Sequence, residues 1–118
     1  MNYTKLTING SEVGLKFGMH SLRYLRDKMN PACYDGDSLT EIGIAHVIYG
    51  GYVNNCAIKD IQPELTFEGV VDFVESCLHD ADKIAALSDV IKVWAEAQLK
   101  PVAEEETKKK KVGRPSKG

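Results

Sequence analysis

The sequence predicts an α+β fold in which an N-terminal two-stranded β-hairpin packs on a bundle of about four α-helices. Two observations support this class. Residues 4–17 alternate apolar and polar side chains on both sides of an Asn-Gly pair, which is the pattern of a hairpin. After Gly18 the apolar residues recur three and four positions apart, which is the pattern of helices. We therefore expect one globular domain at residues 1–101 and a charged, disordered basic tail at residues 102–118.

The hairpin is predicted from its two apolar faces. Leu6 and Ile8 alternate with polar residues before the Asn-Gly pair, and Val13, Leu15 and Phe17 alternate after it. Asn and Gly tolerate the positive φ angles that a tight hairpin turn requires. Because a two-stranded ribbon alone is only marginally stable in water, we expect the following helix to cover it. That helix has an apolar stripe made of Met19, Leu22, Leu25 and Met29.

The second helix is expected to run from about Leu39 to about Asn54. It begins at a Ser38-to-Glu41 capping box, in which the serine and the glutamate cap each other's backbone. Apolar residues lie on most of its sides, so we place it at the centre of the bundle. The Gly50-Gly51 pair inside it indicates close packing against a neighbour or an early end of the helix, with a functional hinge as the alternative.

The third helix is expected to follow an N-cap at Thr66. Phe73 lies off its main apolar stripe and is either a second contact or exposed. The fourth helix is expected from about Lys83 to about Leu99, capped by Asp80 or Asp82 and ended by Pro101. The stripe of the third helix is Phe67, Val70, Val71, Val74, Cys77 and Leu78, and that of the fourth is Ile84, Leu87, Ile91, Trp94 and Ala95.

Composition places the chain among ordinary globular proteins. Of 118 residues, 43% are hydrophobic and 27% charged, and no apolar run approaches the roughly 20 residues that span a bilayer. The N-terminus lacks the basic-then-apolar layout of a signal peptide, so we expect neither export nor a membrane partner. Three widely spaced cysteines favour reduced thiols in a cytosol over a disulfide framework.

Charge is distributed unevenly along the chain. Residues 1–107 hold nine basic groups against seventeen acids, giving −8, whereas residues 108–118 hold six basic groups and no acid, giving +6. This distribution excludes a globular domain that binds nucleic acid through a uniformly basic surface, but nucleic-acid binding by a basic C-terminal arm stays open. Gly113-Arg114-Pro115 is similar to the core of the minor-groove AT-hook, although Val112 stands where an Arg usually precedes the Gly. Such an arm would use Lys108, Lys109, Lys110, Lys111, Arg114 and Lys117; the alternative is a solubilising tail.

No catalytic, metal-binding or phosphate-binding motif is present in the sequence. We therefore expect a non-enzymatic protein without a cofactor. Large aromatic residues on apolar helix faces are the candidates for a surface that binds an apolar partner, or else belong to the core. We expect at least one of them to be partly exposed; these candidate client-binding residues are Tyr49, Tyr52, Phe73 and Trp94.

The order of elements resembles the tail assembly chaperones of long-tailed bacteriophages over roughly residues 3–99. Those proteins begin with two short strands, the second ending in Lys-Phe-Gly, followed by an amphipathic helix. The helix around Ala45, Ile48, Tyr49 and Gly50-Gly51 is similar to the family's second helix, and Leu65 to Glu68 resembles the start of a later one. The matching residues at the N-terminus are Leu6, Ile8, Asn9, Gly10, Leu15, Lys16, Phe17, Gly18, Leu22 and Leu25.

The resemblance implies a chaperone that binds the tape measure protein, keeps it soluble and helps recruit tail tube subunits. It also implies action in the host cytoplasm and absence from the mature virion, and it leaves homo-oligomerisation open. Two other functions stay open on the residues alone. One is a small DNA-associated protein that uses the Gly-Arg-Pro tail, and the other is a structural tail or neck component of the virion.

Overall fold

The predicted N-terminal hairpin is present in the computed structural model, which describes the backbone of residues 2–112 and the side chains of residues 2–98. Strand β1 (Tyr3–Ile8) pairs antiparallel with strand β2 (Ser11–Lys16) along the full length of both. Asn9 and Gly10 form the turn with φ angles of 52° and 83°. Two successive positive φ values match the right-handed twist of the paired strands, which is why this dipeptide suits the turn.

The remaining elements confirm the α+β class and the number of helices. A second, very small hairpin between the first two helices was not predicted. In chain order the elements are helix α1 (Met19–Lys28), a 3₁₀ turn (Pro31–Cys33), strands β3 (Tyr34–Asp35) and β4 (Ser38–Leu39), and helices α2 (Glu41–Lys59), α3 (Phe67–Cys77) and α4 (Ala81–Val112).

The hairpin is covered by α2 and α4, which corrects the expectation that α1 would cover it. Helix α2 packs on β2, α4 packs on β1, and α1 packs on α2. Met19, expected in the α1 stripe, is 78% exposed. The physical reason lies in α2, which is apolar on most sides and can therefore bury several neighbours at once. The hairpin side chains that it buries with α4 are Leu6, Ile8, Leu15 and Phe17.

The Gly50-Gly51 pair explains how two neighbours approach α2 so closely. A β-carbon on Gly50 would lie 3.1 Å from the Tyr24 ring and 3.5 Å from Leu25, both on α1. A β-carbon on Gly51 would lie 2.6 Å from the Phe17 ring at the end of the hairpin. The close-packing interpretation of this pair is therefore confirmed, and the alternative of an early helix end is wrong because α2 continues to Lys59.

The start of α2 differs from the predicted capping box. Ser38 lies in β4, where its backbone pairs with Asp35, so it is not the N-cap. Thr40 takes that position, and its hydroxyl oxygen accepts a hydrogen bond from the Gly43 N–H at 3.3 Å. The same hydroxyl donates to the Ala32 carbonyl at 2.8 Å. One side chain therefore caps α2 and ties it to the 3₁₀ turn.

Helix α3 begins after Thr66, as predicted, with the threonine oxygen accepting from the Gly69 N–H at 3.0 Å. Val70, Val74 and Cys77 of its stripe are buried, and Phe73 is a second core contact rather than an exposed residue. Asp80 caps α4 by accepting from the backbone of Asp82 at 3.0 Å, so the helix starts two residues earlier than expected.

Helix α4 also ends later than predicted. Its backbone continues through Pro101 to Val112, whereas the sequence predicted an end near Leu99. The residues after Pro101 include Ala, Glu and Lys, which are strong helix formers. Of the tail that was predicted to be disordered, residues 113–118 lie outside the described part of the chain, as do all side chains from residue 99 onward.

Candidate functional site

An apolar groove of about 510 Å³ opens on the surface between β4, the start of α2, the end of α3 and one face of α4. Among the side chains that the structure describes, Asp37 is the one charged group that lines it. Leu78 and Ile84 are 39% and 42% exposed, so the groove presents hydrophobic surface to solvent. Its other lining residues are Ser38, Leu39, Ile44, Leu87, Ser88, Ile91, Trp94 and Ala95.

A smaller depression, which we call the acidic shelf, adjoins the groove at Leu78. It is lined by Glu41, Ile42, Val71, Glu75 and Leu78. Ile42 is 40% exposed, so apolar surface continues from Ile84 across Leu78 to Ile42. The charged residues of the shelf are both acidic, as is the one that lines the groove. The two depressions together form an apolar surface with acidic charges beside it.

Trp94 is the candidate client-binding residue that the structure places in the groove. It is half-buried, and its indole N–H is buried with no hydrogen-bond partner among the described residues. An unpaired buried donor is unfavourable by about 1–3 kcal/mol, which the packing around the indole ring must offset. Trp94 is also the chain's single tryptophan, which makes it a fluorescent reporter for the groove.

The other three candidates lie elsewhere. The Tyr52 hydroxyl accepts hydrogen bonds from the Glu64 and Leu65 N–H groups at 2.7 and 3.0 Å and so holds the connector between α2 and α3. Tyr49 packs half-buried among aromatic rings, and Phe73 is buried in the core. The structure thus accounts for these three rings by packing, while client binding through any of the four candidates stays a prediction.

His46 belongs to the aromatic cluster beside Tyr49. Its ring stacks on Phe67 with the ring centres 4.3 Å apart, and its Nδ1 is in hydrogen-bond contact with the Tyr24 hydroxyl at 2.9 Å. Burial, together with the nearby positive charge of Lys28, lowers the pKa of His46 below its usual 6.5. Burial likewise raises the pKa of Tyr24 to about 12. The cluster therefore favours the neutral form of both side chains.

We expect the wild-type protein to lose stability on acidification more steeply than a His46→Gln variant. The folded-state pKa lies below 6.5, so the unfolded chain binds more protons as the pH falls from 6.5 towards the folded value. The stabilising contribution of neutral His46 to the free energy of unfolding is therefore fully present above pH 6.5 and is progressively lost as the pH falls towards the folded-state pKa. Urea titrations between pH 7.5 and 5 would measure the difference in slope. A His46→Gln variant whose stability fell with pH as steeply as that of the wild-type protein would contradict the assignment.

Among residues 2–98, groups that could carry other chemistry are dispersed. No three His, Cys, Asp or Glu side chains there are arranged to hold a metal ion. Cys33, Cys56 and Cys77 are free thiols and all are buried, and burial raises the pKa of the Cys77 thiol. In the same described part of the chain, no helix combines the length and apolar character needed to cross a bilayer.

The nucleic-acid-binding alternative rests on residues that the structure describes little or not at all. Lys108, Lys109, Lys110 and Lys111 fall within the α4 backbone, but their side chains are outside the described residues, as are Arg114 and Lys117 entirely.

Sequence reasoning identified one wall of the groove and missed the others. The sequence predicted one stripe of α4 that lines the groove, and it named Trp94 as a candidate for client binding; the stripe is Ile84, Leu87, Ile91, Trp94 and Ala95. Leu39 and Leu78 are far apart in the chain, and the sequence did not predict that they would lie beside the α4 stripe. One feature of the sequence could have indicated that part of the α4 stripe is not covered. Val90, which is buried, lies outside the predicted stripe, so α4 has apolar residues on more than one face.

The comparisons with known proteins add no family assignment. No protein-family model matches this chain, and no curated protein or solved structure matches it either.

Proposed function

We propose that this protein is a tail assembly chaperone of a long-tailed bacteriophage, which binds the tape measure protein and keeps it soluble before assembly. The identity of the client comes from the resemblance of residues 3–99 to that family. The observation that carries the proposal is the open apolar groove, because a protein that holds an apolar client needs hydrophobic surface accessible on an otherwise charged exterior.

The groove offers binding strength suited to a transient complex. Fully burying one Leu- or Ile-sized side chain contributes about 1.5–3 kcal/mol, and Leu78 and Ile84 already have part of their surface covered. Two or three such contacts, reduced by the entropy lost on association, give a weak and reversible interaction. A chaperone that must release its client into a growing tail requires that reversibility.

The proposal also places the protein in the host cytoplasm, with tail tube subunits as further partners, and leaves it out of the mature virion. The negative charge of residues 1–107 supports a soluble complex, since like-charged complexes repel one another. Finding the protein in purified particles would favour the structural tail or neck component instead.

The test is co-expression with the tape measure protein of the same phage. We expect wild-type protein to keep the tape measure protein in the soluble fraction, and a Leu78→Ser/Ile84→Ser double variant to lower that fraction at least fivefold. The matched control is Ile58→Ser/Ile61→Ser, which alters two residues that are 57% and 55% exposed but lie outside the groove. Both double variants remove two exposed aliphatic side chains, so a difference between them reports on the groove.

Two results would contradict the proposal. If wild-type protein leaves the tape measure protein insoluble, the chaperone function is wrong. If the groove and control variants protect the client equally, the groove is not the client site. Deleting residues 108–118 tests the DNA-associated alternative. Salt-dependent binding to A·T-rich duplex DNA that is lost on this deletion would favour that function, whereas association with the tape measure protein that the deletion leaves unaffected would favour the chaperone.

A further inference from the structure

The described charged side chains that line the apolar groove and the acidic shelf are all acidic. Asp37 lines the groove, and Glu41 and Glu75 line the adjoining acidic shelf, and among the side chains of residues 2–98 no Lys or Arg lines either of them. The depression between β1 and α4 differs, since Lys5 and Lys83 lie there together with Asp82. In that depression basic and acidic side chains occur together, whereas the described linings of the groove and shelf carry acidic charge alone.

The shape of the groove favours a helical occupant. Along α4 its lining residues recur from Ile84 to Trp94 at helical spacing, a span of about 15 Å. A partner helix with apolar residues at positions i, i+3 and i+7 extends its anchors over about 10 Å, which fits within this length. A partner strand would need a free sheet edge, and β4 beside the groove is only two residues long.

We propose that the groove and acidic shelf bind a positively charged amphipathic helix of the client, with its apolar face in the groove and its Lys or Arg side chains towards Asp37, Glu41 and Glu75. This inference rests on the proposed function, because it names the kind of client segment that the same groove takes. The apolar anchors supply the affinity, and the acidic charges select among apolar helices by their flanking charge.

The chain's own basic tail fits this site less well. Residues 108–118 carry the right charge, but Val112 is their single large aliphatic residue, so they would leave most of the groove unfilled. An apolar groove gains little from a purely charged segment in water, where exposed ion pairs contribute at most about 1 kcal/mol. The occupant must therefore combine basic and apolar residues at helical spacing.

The test uses two synthetic peptides of about 18 residues, long enough to form helix readily. Both have the same leucine stripe at positions i, i+3 and i+7 and no tryptophan, and they differ in having Lys or Glu on the polar face. Each is titrated into the full-length protein while the emission of Trp94 is recorded. At low salt we expect the Lys peptide to bind at least about tenfold more tightly than the Glu peptide, with the difference shrinking as salt rises.

Substitutions separate the apolar from the charged contribution. Leu78→Ser/Ile84→Ser should weaken binding of the Lys peptide at least about tenfold, while Ile58→Ser/Ile61→Ser should leave it unchanged. The triple variant Asp37→Asn/Glu41→Gln/Glu75→Gln should still bind the Lys peptide but prefer it over the Glu peptide by less than about twofold. Circular dichroism of each variant confirms that the helices are intact.

Three outcomes would overturn the inference: equal affinity for both peptides, undiminished Lys-peptide binding by the groove variant, or a groove occupied by a second copy of the chain that no peptide displaces. These are distinguishable from failure of the chaperone function. If the tape measure protein is protected through the groove but the peptides bind alike, the function stands and the charge selection is wrong. If the protein binds the Lys peptide more tightly than the Glu peptide but does not keep the tape measure protein soluble, the charge selection stands and the chaperone function is wrong.

Discussion

Replacing Gly43 by alanine is expected to lower the free energy of unfolding by about 2 kcal/mol, although alanine is the better helix former. A β-carbon on Gly43 would overlap the Cys33 carbonyl oxygen and lie 3.1 Å from Leu39. The overlapped atom belongs to the backbone and cannot rotate away. It also accepts the Thr40 N–H at 2.9 Å, so moving it disturbs the N-cap of α2. Overpacking of this kind is unfavourable by about 3 kcal/mol, and helix propensity offsets about 1 kcal/mol.

Gly69→Ala is a closely matched control. Gly69 follows the N-cap Thr66 by three residues, as Gly43 follows Thr40, and each glycine N–H bonds to its threonine oxygen. The nearest atoms to a β-carbon on Gly69 are side-chain atoms at 3.3 and 3.4 Å, which can adjust. We expect this variant to be as stable as wild type or up to about 1 kcal/mol more stable. Urea denaturation of both variants measures the difference, and equal stability would show that the Cys33 contact does not constrain α2.

The Gly43 contact also bears on the groove. It holds the 3₁₀ turn and the small hairpin close to α2, and that hairpin supplies Leu39 and Asp37 to the groove wall. A protein that tolerates Gly43→Ala by shifting this hairpin should therefore show altered Trp94 emission even where it remains folded.

Asn54→Ala is expected to lower the free energy of unfolding by about 3 kcal/mol. Asn54 lies on α2 with 2% of its surface exposed, and its side-chain oxygen accepts the N–H of Gly18 at 3.2 Å and of Ser21 at 2.9 Å. These are donors at the start of α1, where Gly18 has no side chain to act as the cap. Each buried donor left unpaired is unfavourable by about 1–3 kcal/mol.

Asn55→Ala provides the comparison for Asn54→Ala. Asn55 is the next residue of α2 and is also buried, at 6% exposed, but it takes no part in capping α1. We expect its replacement to lower the free energy of unfolding by about 1 kcal/mol. Hydrogen exchange adds a local measurement, since the first-turn amides of α1 should lose protection in the Asn54 variant and keep it in the Asn55 variant. Equal losses in both variants would rule out capping by Asn54.

Local signals in the sequence were sufficient for the elements whose stabilising contacts lie close in the chain. The Asn-Gly turn and its alternating strands predicted the first hairpin, and Thr66 predicted the start of α3, because turn and cap chemistry act within a few residues. The same reasoning failed at Ser38, where pairing with Asp35 in the small hairpin took precedence over the predicted capping box.

By itself, then, the sequence determined that this chain forms a hairpin and four helices, and it determined the apolar stripe of α4. Only the tertiary structure decided that α2 covers the hairpin, that Asn54 caps α1 from 33 residues away, and that part of the α4 stripe opens into a groove with Leu39 and Leu78. The physical reason is that an apolar stripe specifies which side chains avoid water, whereas the neighbour that covers them depends on how closely backbones can approach. That approach is set here by glycines such as Gly51, whose partners are remote in the chain.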